Sequence, residues 1–162
     1  MRRATGPSIL PVMWTTELRP RFSETDALGH INNTVLPVWF MEAREPVLRL
    51  FSPTLGRDGN NALAVVRMEV DFHAETLFGS PVTITTGIGE LGNRSFQVIQ
   101  EAWQNQVLTA RGVATLVSFD TRERRSQPLT ASLRAQLQAH QVADQKDREE
   151  EGAPAGRAGK TP

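Results

Sequence analysis

From Val66 to His73 the chain alternates, with Val66, Met68, Val70 and Phe72 on one side and Arg67, Glu69, Asp71 and His73 on the other. A period of two predicts a half-buried strand. Trp14 to Phe22 reads as another strand, with Thr16, Leu18, Pro20 and Phe22 alternating with polar residues. Pro20 cannot donate to a ladder, which points to an edge or a strand end. Further strands are expected at Val82 to Ile88 after Gly79-Ser80-Pro81, at Ser95 to Trp103 after the Gly92-Asn93 turn, and at Val107 to Phe119 after Gln104-Asn105-Gln106. In the last of these Val107, Val113, Val117 and Phe119 share one face. Ala110, Gly112 and Ala114 share the other, which is small enough for a helix to approach closely.

A different period separates the first two strands. Leu36, Phe40, Ala43, Val47, Leu50 and Phe51 form the apolar face of a helix running from about Thr34 to Phe51, with Glu42, Glu45 and Arg49 as a polar stripe. Asn33 or Thr34 is a credible N-cap, and Pro37 suits the first turn. Pro46 lacks a backbone donor and crowds the carbonyl of Glu42, so a kink or break is expected there. A short helix from about Thr130 to Ala139 closes the pattern. Tight turns imply antiparallel neighbours, and a helix against such a sheet is an α+β arrangement. The expectation is an antiparallel sheet of about five strands wrapped around one long central helix.

A length of 162 residues is enough for one domain with a real core. Residues 1–12 read as a flexible N-terminus, 13–139 as the domain and 140–162 as a charged tail. The tail carries Lys146-Asp147-Arg148-Glu149-Glu150-Glu151 and no aromatic residue, too little apolar area to offset its ordering entropy. Net charge is zero, so no global field recruits nucleic acid or an anionic membrane. No apolar run approaches the length of a membrane span. The short stretch from Ile9, broken by Pro11, reads as a frayed terminus rather than a signal peptide. The absence of cysteine excludes disulfides, thiol nucleophiles and thiolate metal sites, and favours a cytoplasmic address.

The candidate chemistry lies in Asp26-Ala27-Leu28-Gly29-His30-Ile31-Asn32-Asn33-Thr34, where a carboxylate and an imidazole share a short loop just before a helix start. In one reading Asp26 caps the coming helix and His30 is a polar loop residue. In the other, helix-start amides carry partial positive charge and unpaired donors, and a carbonyl placed against them has its developing oxyanion stabilised. Asp26 could then act as base or nucleophile. Other patterns weigh less. Gly87-x-Gly89-x-x-Gly92 precedes a strand rather than a helix, so it lacks the context of a dinucleotide site. His73 reads as a solvated strand residue, His140 as part of the tail, and Arg122, Arg124 and Arg125 as a solvated turn. The dispersed histidines do not form a metal pair, no Gly-x-Ser-x-Gly elbow is present, and Trp14, Trp39 and Trp103 suit core or interface packing.

The stretch Arg21-Phe22-Ser23-Glu24-Thr25-Asp26-Ala27-Leu28-Gly29-His30-Ile31-Asn32-Asn33-Thr34 resembles the 4-hydroxybenzoyl-CoA thioesterase branch of the hotdog-fold superfamily, whose loop reads Asp-x-x-Gly-His-x-Asn-Asn. The likeness continues at Trp39-Phe40-Met41-Glu42-Ala43-Arg44, Val70-Asp71-Phe72 and Leu91-Gly92-Asn93-Arg94-Ser95-Phe96. The resemblance implies a hotdog fold, homodimers that often pair into homotetramers, and acyl-CoA bound at the subunit boundary. It implies Asp26 as the catalytic carboxylate and the amide near Asn33 as the donor to the thioester carbonyl. His30 and Asn32 would shape the loop or touch substrate, and Glu42 would be a reserve acid. Arg94 and Ser95 would lie near the pantetheine or phosphates. No metal or redox cofactor, nucleic acid or membrane is expected. The expected activity is hydrolysis of an acyl-CoA to free acid and CoA. A non-catalytic acyl-CoA binding module and a hydratase on the same fold are the alternatives.

Overall fold

The computed structural model describes residues 12–55 and 61–143. The main strands are β1 (Trp14–Leu18), β2 (Asn61–Phe72), β3 (Val82–Leu91), β4 (Ser95–Gln104) and β5 (Val107–Asp120). They form one antiparallel sheet in the order β1-β3-β4-β5-β2, and a short β6 (Arg125–Ser126) pairs with β5. The helices α1 (Val35–Ala43) and α2 (Glu45–Phe51) lie between β1 and β2, and α3 (Ala131–Gln138) follows β6. This is the α+β layout expected from the sequence. Among the described residues no helix is long and apolar enough to cross a membrane.

Local chemistry sets the hairpins. Asn105 and Gln106 have φ of 50° and 65°, the left-handed pair that a two-residue turn between twisted strands requires. The small face of β5 meets the helix as its composition demands. A Cβ on Gly112 would lie 2.8 Å from two ring carbons of Phe40, which is fully buried. Ile31, Leu36, Trp39, Phe40 and Ala43 pack there against Val82, Ile84, Ala102 and Ala110. A second cluster joins Val47 of α2 to Leu133 and Leu137 of α3 across Ile88, Phe96, Val98 and Leu116. Glycines 87 and 89 sit inside β3, as strand residues rather than a phosphate loop.

The helix expected from about Thr34 to Phe51 is two helices, broken at Arg44, which is the break that Pro46 led one to expect, so no single long helix runs through the sheet. Pro46 lies in the first turn of α2 and has no N–H for the Glu42 carbonyl. The Arg44 amide turns to Met41 O at 3.2 Å and the Val47 amide to Arg44 O at 2.9 Å. The carbonyls of Phe40 and Ala43 thereby lose their helical donors inside the core, where an unpaired carbonyl is costly. Buried side chains replace them. Gln100 Nε2 donates to Phe40 O at 2.8 Å, Arg44 Nε to the same oxygen at 3.1 Å, and Thr86 Oγ1 to Ala43 O at 3.3 Å. Gln100 Nε2 also donates to Thr86 Oγ1 at 3.1 Å. Burial of Arg44 pushes its guanidinium below the ordinary value, because desolvation disfavours the charged form.

Two further expectations are corrected. Val66 and Phe72 were expected to face inward with Met68 and Val70, but both are exposed. A bulge between Val65 and Arg67 breaks the alternation, and β2 is an edge strand paired on one side with β5. The packed chain also continues past residue 139. His140 O accepts from Ile88 N at 2.9 Å, and Val142 N donates to Ile88 O at 2.7 Å. The His140 ring stacks on Trp14 at 3.8 Å. His140 therefore belongs to the domain, sealing the edge of β3 where β1 stops. The rest of the expected tail, and residues 1–11 of the expected N-terminal segment, lie outside the described residues.

Candidate active site

The loop after β1 is built from the inside outward by its own backbone. A 3₁₀ turn at Phe22–Glu24 brings the Glu24 carboxylate to the Arg21 amide at 2.7 Å and to Trp39 Nε1 at 3.2 Å. Thr25 then pairs with Ile31, and Asp26 N donates to His30 O at 2.7 Å. Gly29 closes this small hairpin with φ +80°, a conformation that side chains other than glycine adopt at a cost. The Asp26 carboxylate is half-buried. Its Oδ1 accepts from Leu28 N at 2.8 Å and from His30 N at 3.1 Å. Its Oδ2 has no hydrogen-bond partner among the described residues. One oxygen is thus anchored and the other is available.

The helix start differs in detail from expectation. The N-cap is Thr34, one of the two residues expected, but its side chain makes no capping hydrogen bond. Asn32 Oδ1 instead accepts from Thr34 N at 2.9 Å and from Thr34 Oγ1 at 2.8 Å, so Asn32 fixes the turn that leads into the helix. Asn32 N donates to Glu24 O at 2.8 Å and Val35 N to Asn32 O at 2.9 Å. These bonds leave the Asn33 amide without an acceptor among the described residues, at the end of the helix where partial positive charge accumulates.

A second segment supports the loop. Ile31 N donates to Thr76 O at 2.7 Å, and His30 bridges Leu77. Leu77 is itself held by the buried Gln104, whose Oε1 accepts from Leu77 N at 2.8 Å and whose Nε2 donates to Leu77 O at 2.7 Å and Ser80 O at 3.0 Å. His30 Nε2 meets Glu75 Oε2 at 3.2 Å. Phe22, Leu28, Leu77 and Phe78 are exposed around the loop, with Phe22 and Phe78 in edge-to-face contact at 5.9 Å.

The structure therefore brings together Asp26, His30, Asn32 and Asn33. Glu42 is exposed on α1, in a cleft of about 520 Å³ that it shares with Glu17, Arg19, Arg21, Glu24 and Trp39. Arg94 and Ser95 are not near the loop. Ser95 begins β4 and Arg94 precedes it, and the far end of that strand is Gln104, so roughly 30 Å of strand separates them from the Leu77 segment. Arg94 instead donates to Ser126 O at 2.7 Å. Among the described residues no cluster of His, Asp and Glu could hold a metal ion. The supporting residues Glu24, Glu75 and Gln104 carry no local signal. Gln104 reads as a turn residue, and its partners lie 24 to 27 positions away.

Comparison with known proteins adds independent findings. Residues 20–137 match the model of the thioesterase-like superfamily. A 1,4-dihydroxy-2-naphthoyl-CoA hydrolase of Synechococcus sp. (strain RCC307) is 30% identical over 126 residues, 74% of this chain and 96% of that protein. The structure of a predicted thioesterase from Bacillus stearothermophilus superposes with a TM-score of 0.77 at 38% identity, covering 82% of this chain and 99% of the other. A thioesterase from Thermus thermophilus, solved in complex with coenzyme A and zinc, gives a TM-score of 0.69 at 29% identity, covering 77% of this chain and 91% of the other.

Proposed function

This chain belongs to the thioesterase-like superfamily and is a thioesterase, and from that premise we propose that it hydrolyses an acyl-CoA to the free acid and CoA at the Asp26 loop. The observation that carries the assignment is the divided Asp26 carboxylate, with Oδ1 anchored by two loop amides and Oδ2 available, beside a helix start whose Asn33 amide has no internal acceptor among the described residues. The thioester carbonyl oxygen sits against the Asn33 amide, which strengthens its hold as the oxygen gains charge. One such donor contributes roughly 3 kcal/mol to the transition state.

Two routes share this geometry. In the first, Asp26 takes a proton from water as the water oxygen attacks the carbonyl carbon. The C–S bond then breaks, and the CoA thiolate leaves and is protonated. In the second, Asp26 attacks the carbonyl carbon itself, CoA leaves, and water hydrolyses the resulting anhydride. His30 and Asn32 hold the loop in shape or touch the reacting groups, and Glu42 is the reserve acid.

The active form in this reading is a homodimer or a pair of dimers. Among the described residues β2 presents an edge of 12 residues with no strand partner and with Val65 and Val66 exposed along it, the kind of edge that pairs with a second copy about a two-fold axis. Acyl-CoA lies at the subunit boundary, where Arg94 and Ser95 of a second protomer serve the pantetheine or phosphates. The test is thiol release from a panel of short, medium, long and aromatic acyl-CoAs by the native protein and by Asp26→Asn. We expect turnover of at least one class by the native protein and a loss of roughly 10²-fold or more in the variant. Tight acyl-CoA binding without turnover, or an active Asp26→Asn, overturns the assignment.

A further inference from the structure

We infer that Glu75 is a positioning residue for the reaction, acting on the imidazole of His30; this rests on the placement of the active site at the Asp26 loop. The two side chains come from segments that the backbone locks in register. Ile31 N donates to Thr76 O at 2.7 Å, and His30 bridges Leu77. Gln104 fixes Leu77 and Ser80 through three further hydrogen bonds. Glu75 is thereby held opposite His30, with Oε2 3.2 Å from Nε2. His30 in turn is tied to Asp26 through both of its main-chain polar groups, its N–H to Asp26 Oδ1 at 3.1 Å and its carbonyl to Asp26 N at 2.7 Å.

A carboxylate only accepts, so the neutral imidazole beside it carries its proton on Nε2 and presents Nδ1 as an acceptor. Nδ1 has no hydrogen-bond partner among the described residues. An imidazole held in this way receives one O–H of the attacking water at Nδ1 while Asp26 takes the other proton. It cannot occupy that place as a competing donor. As a fold-stabilising contact the pair is minor, because the Glu75 side chain is 67% exposed and exposed ion pairs contribute little. That separates the positioning role from a structural one.

The experiment compares the native protein with Glu75→Ala and Glu75→Gln by nitrogen–proton correlation of the His30 ring at neutral pH and by steady-state kinetics. The amide oxygen of glutamine still accepts from Nε2–H, whereas alanine leaves it without a partner. The native protein and Glu75→Gln should both show the Nε2–H tautomer and kcat within about threefold of each other. Glu75→Ala should show mixed tautomers and a kcat lower by about tenfold, part of the roughly 10²–10⁴-fold that proton transfer contributes, with KM and Tm unchanged. A Glu75→Ala protein with the native tautomer or native kcat overturns the inference, as does a Glu75→Gln as impaired as Glu75→Ala. If the native protein hydrolyses no acyl-CoA, the functional assignment fails, while the ring spectra still decide whether Glu75 sets the tautomer.

Discussion

Replacing Gly112 with alanine tests how closely the helix is seated on the sheet. The new Cβ would stand 2.8 Å from both Cδ2 and Cε2 of Phe40, where carbon atoms prefer about 3.5–4.0 Å. Relief requires a shift of several tenths of an ångström. Phe40 is fully buried between Ala110, Ala102 and Ile84, and its own carbonyl is tied to Gln100 and Arg44, so the ring cannot swing clear. Overpacking of this kind costs roughly 1–3 kcal/mol. Alanine also restricts the unfolded chain, which offsets about 0.4–1 kcal/mol. The net destabilisation is about 1–2 kcal/mol. At roughly 2–4 °C per kcal/mol for a chain of this size, Tm falls by about 2–8 °C. Thermal unfolding followed by circular dichroism measures it, and a cycle with Phe40→Leu locates the cause. Shortening the ring makes room, so the double variant should be more stable than the sum of the single effects requires, by about 0.5 kcal/mol or more. A Gly112→Ala protein as stable as the native one, or strictly additive variants, would refute the claimed contact.

Two other expectations follow from the loop and the edge. Gly29 has φ +80° and open space where a Cβ would stand, so Gly29→Ala is opposed by backbone strain alone, roughly 1–2 kcal/mol; thioester turnover should fall and Gly29→Asn should restore more of it, and equal activity in the two variants would count against a strained hairpin. Val66→Lys on the exposed β2 edge should shift the protein toward monomer in light scattering and lower turnover, whereas a native protein already monomeric at working concentration refutes the dimeric site.

The sequence by itself determined the parts whose causes are local. Alternation marked the second half of β2, turn signals placed β3 to β5, the small residues of β5 marked the face that Phe40 covers, and the turn at Asn105-Gln106 followed from its residues. Pro46 announced a broken helix because a missing N–H is a property of one residue. Asp26, His30 and Asn32 were legible as a loop because their hydrogen bonds close within nine positions. The tertiary structure decided everything that depends on distant segments meeting. It chose Gln100 and Thr86 to satisfy the carbonyls that the break exposes, carried His140 back onto Trp14, left Val66 outside at a bulge, and left Phe72 exposed at the end of β2. It also set Glu75 against His30 and Gln104 against Leu77 and Ser80. Periodicity and turn chemistry act over a few residues, whereas a buried polar group takes whichever partner the fold delivers, and no pattern along the chain records that choice.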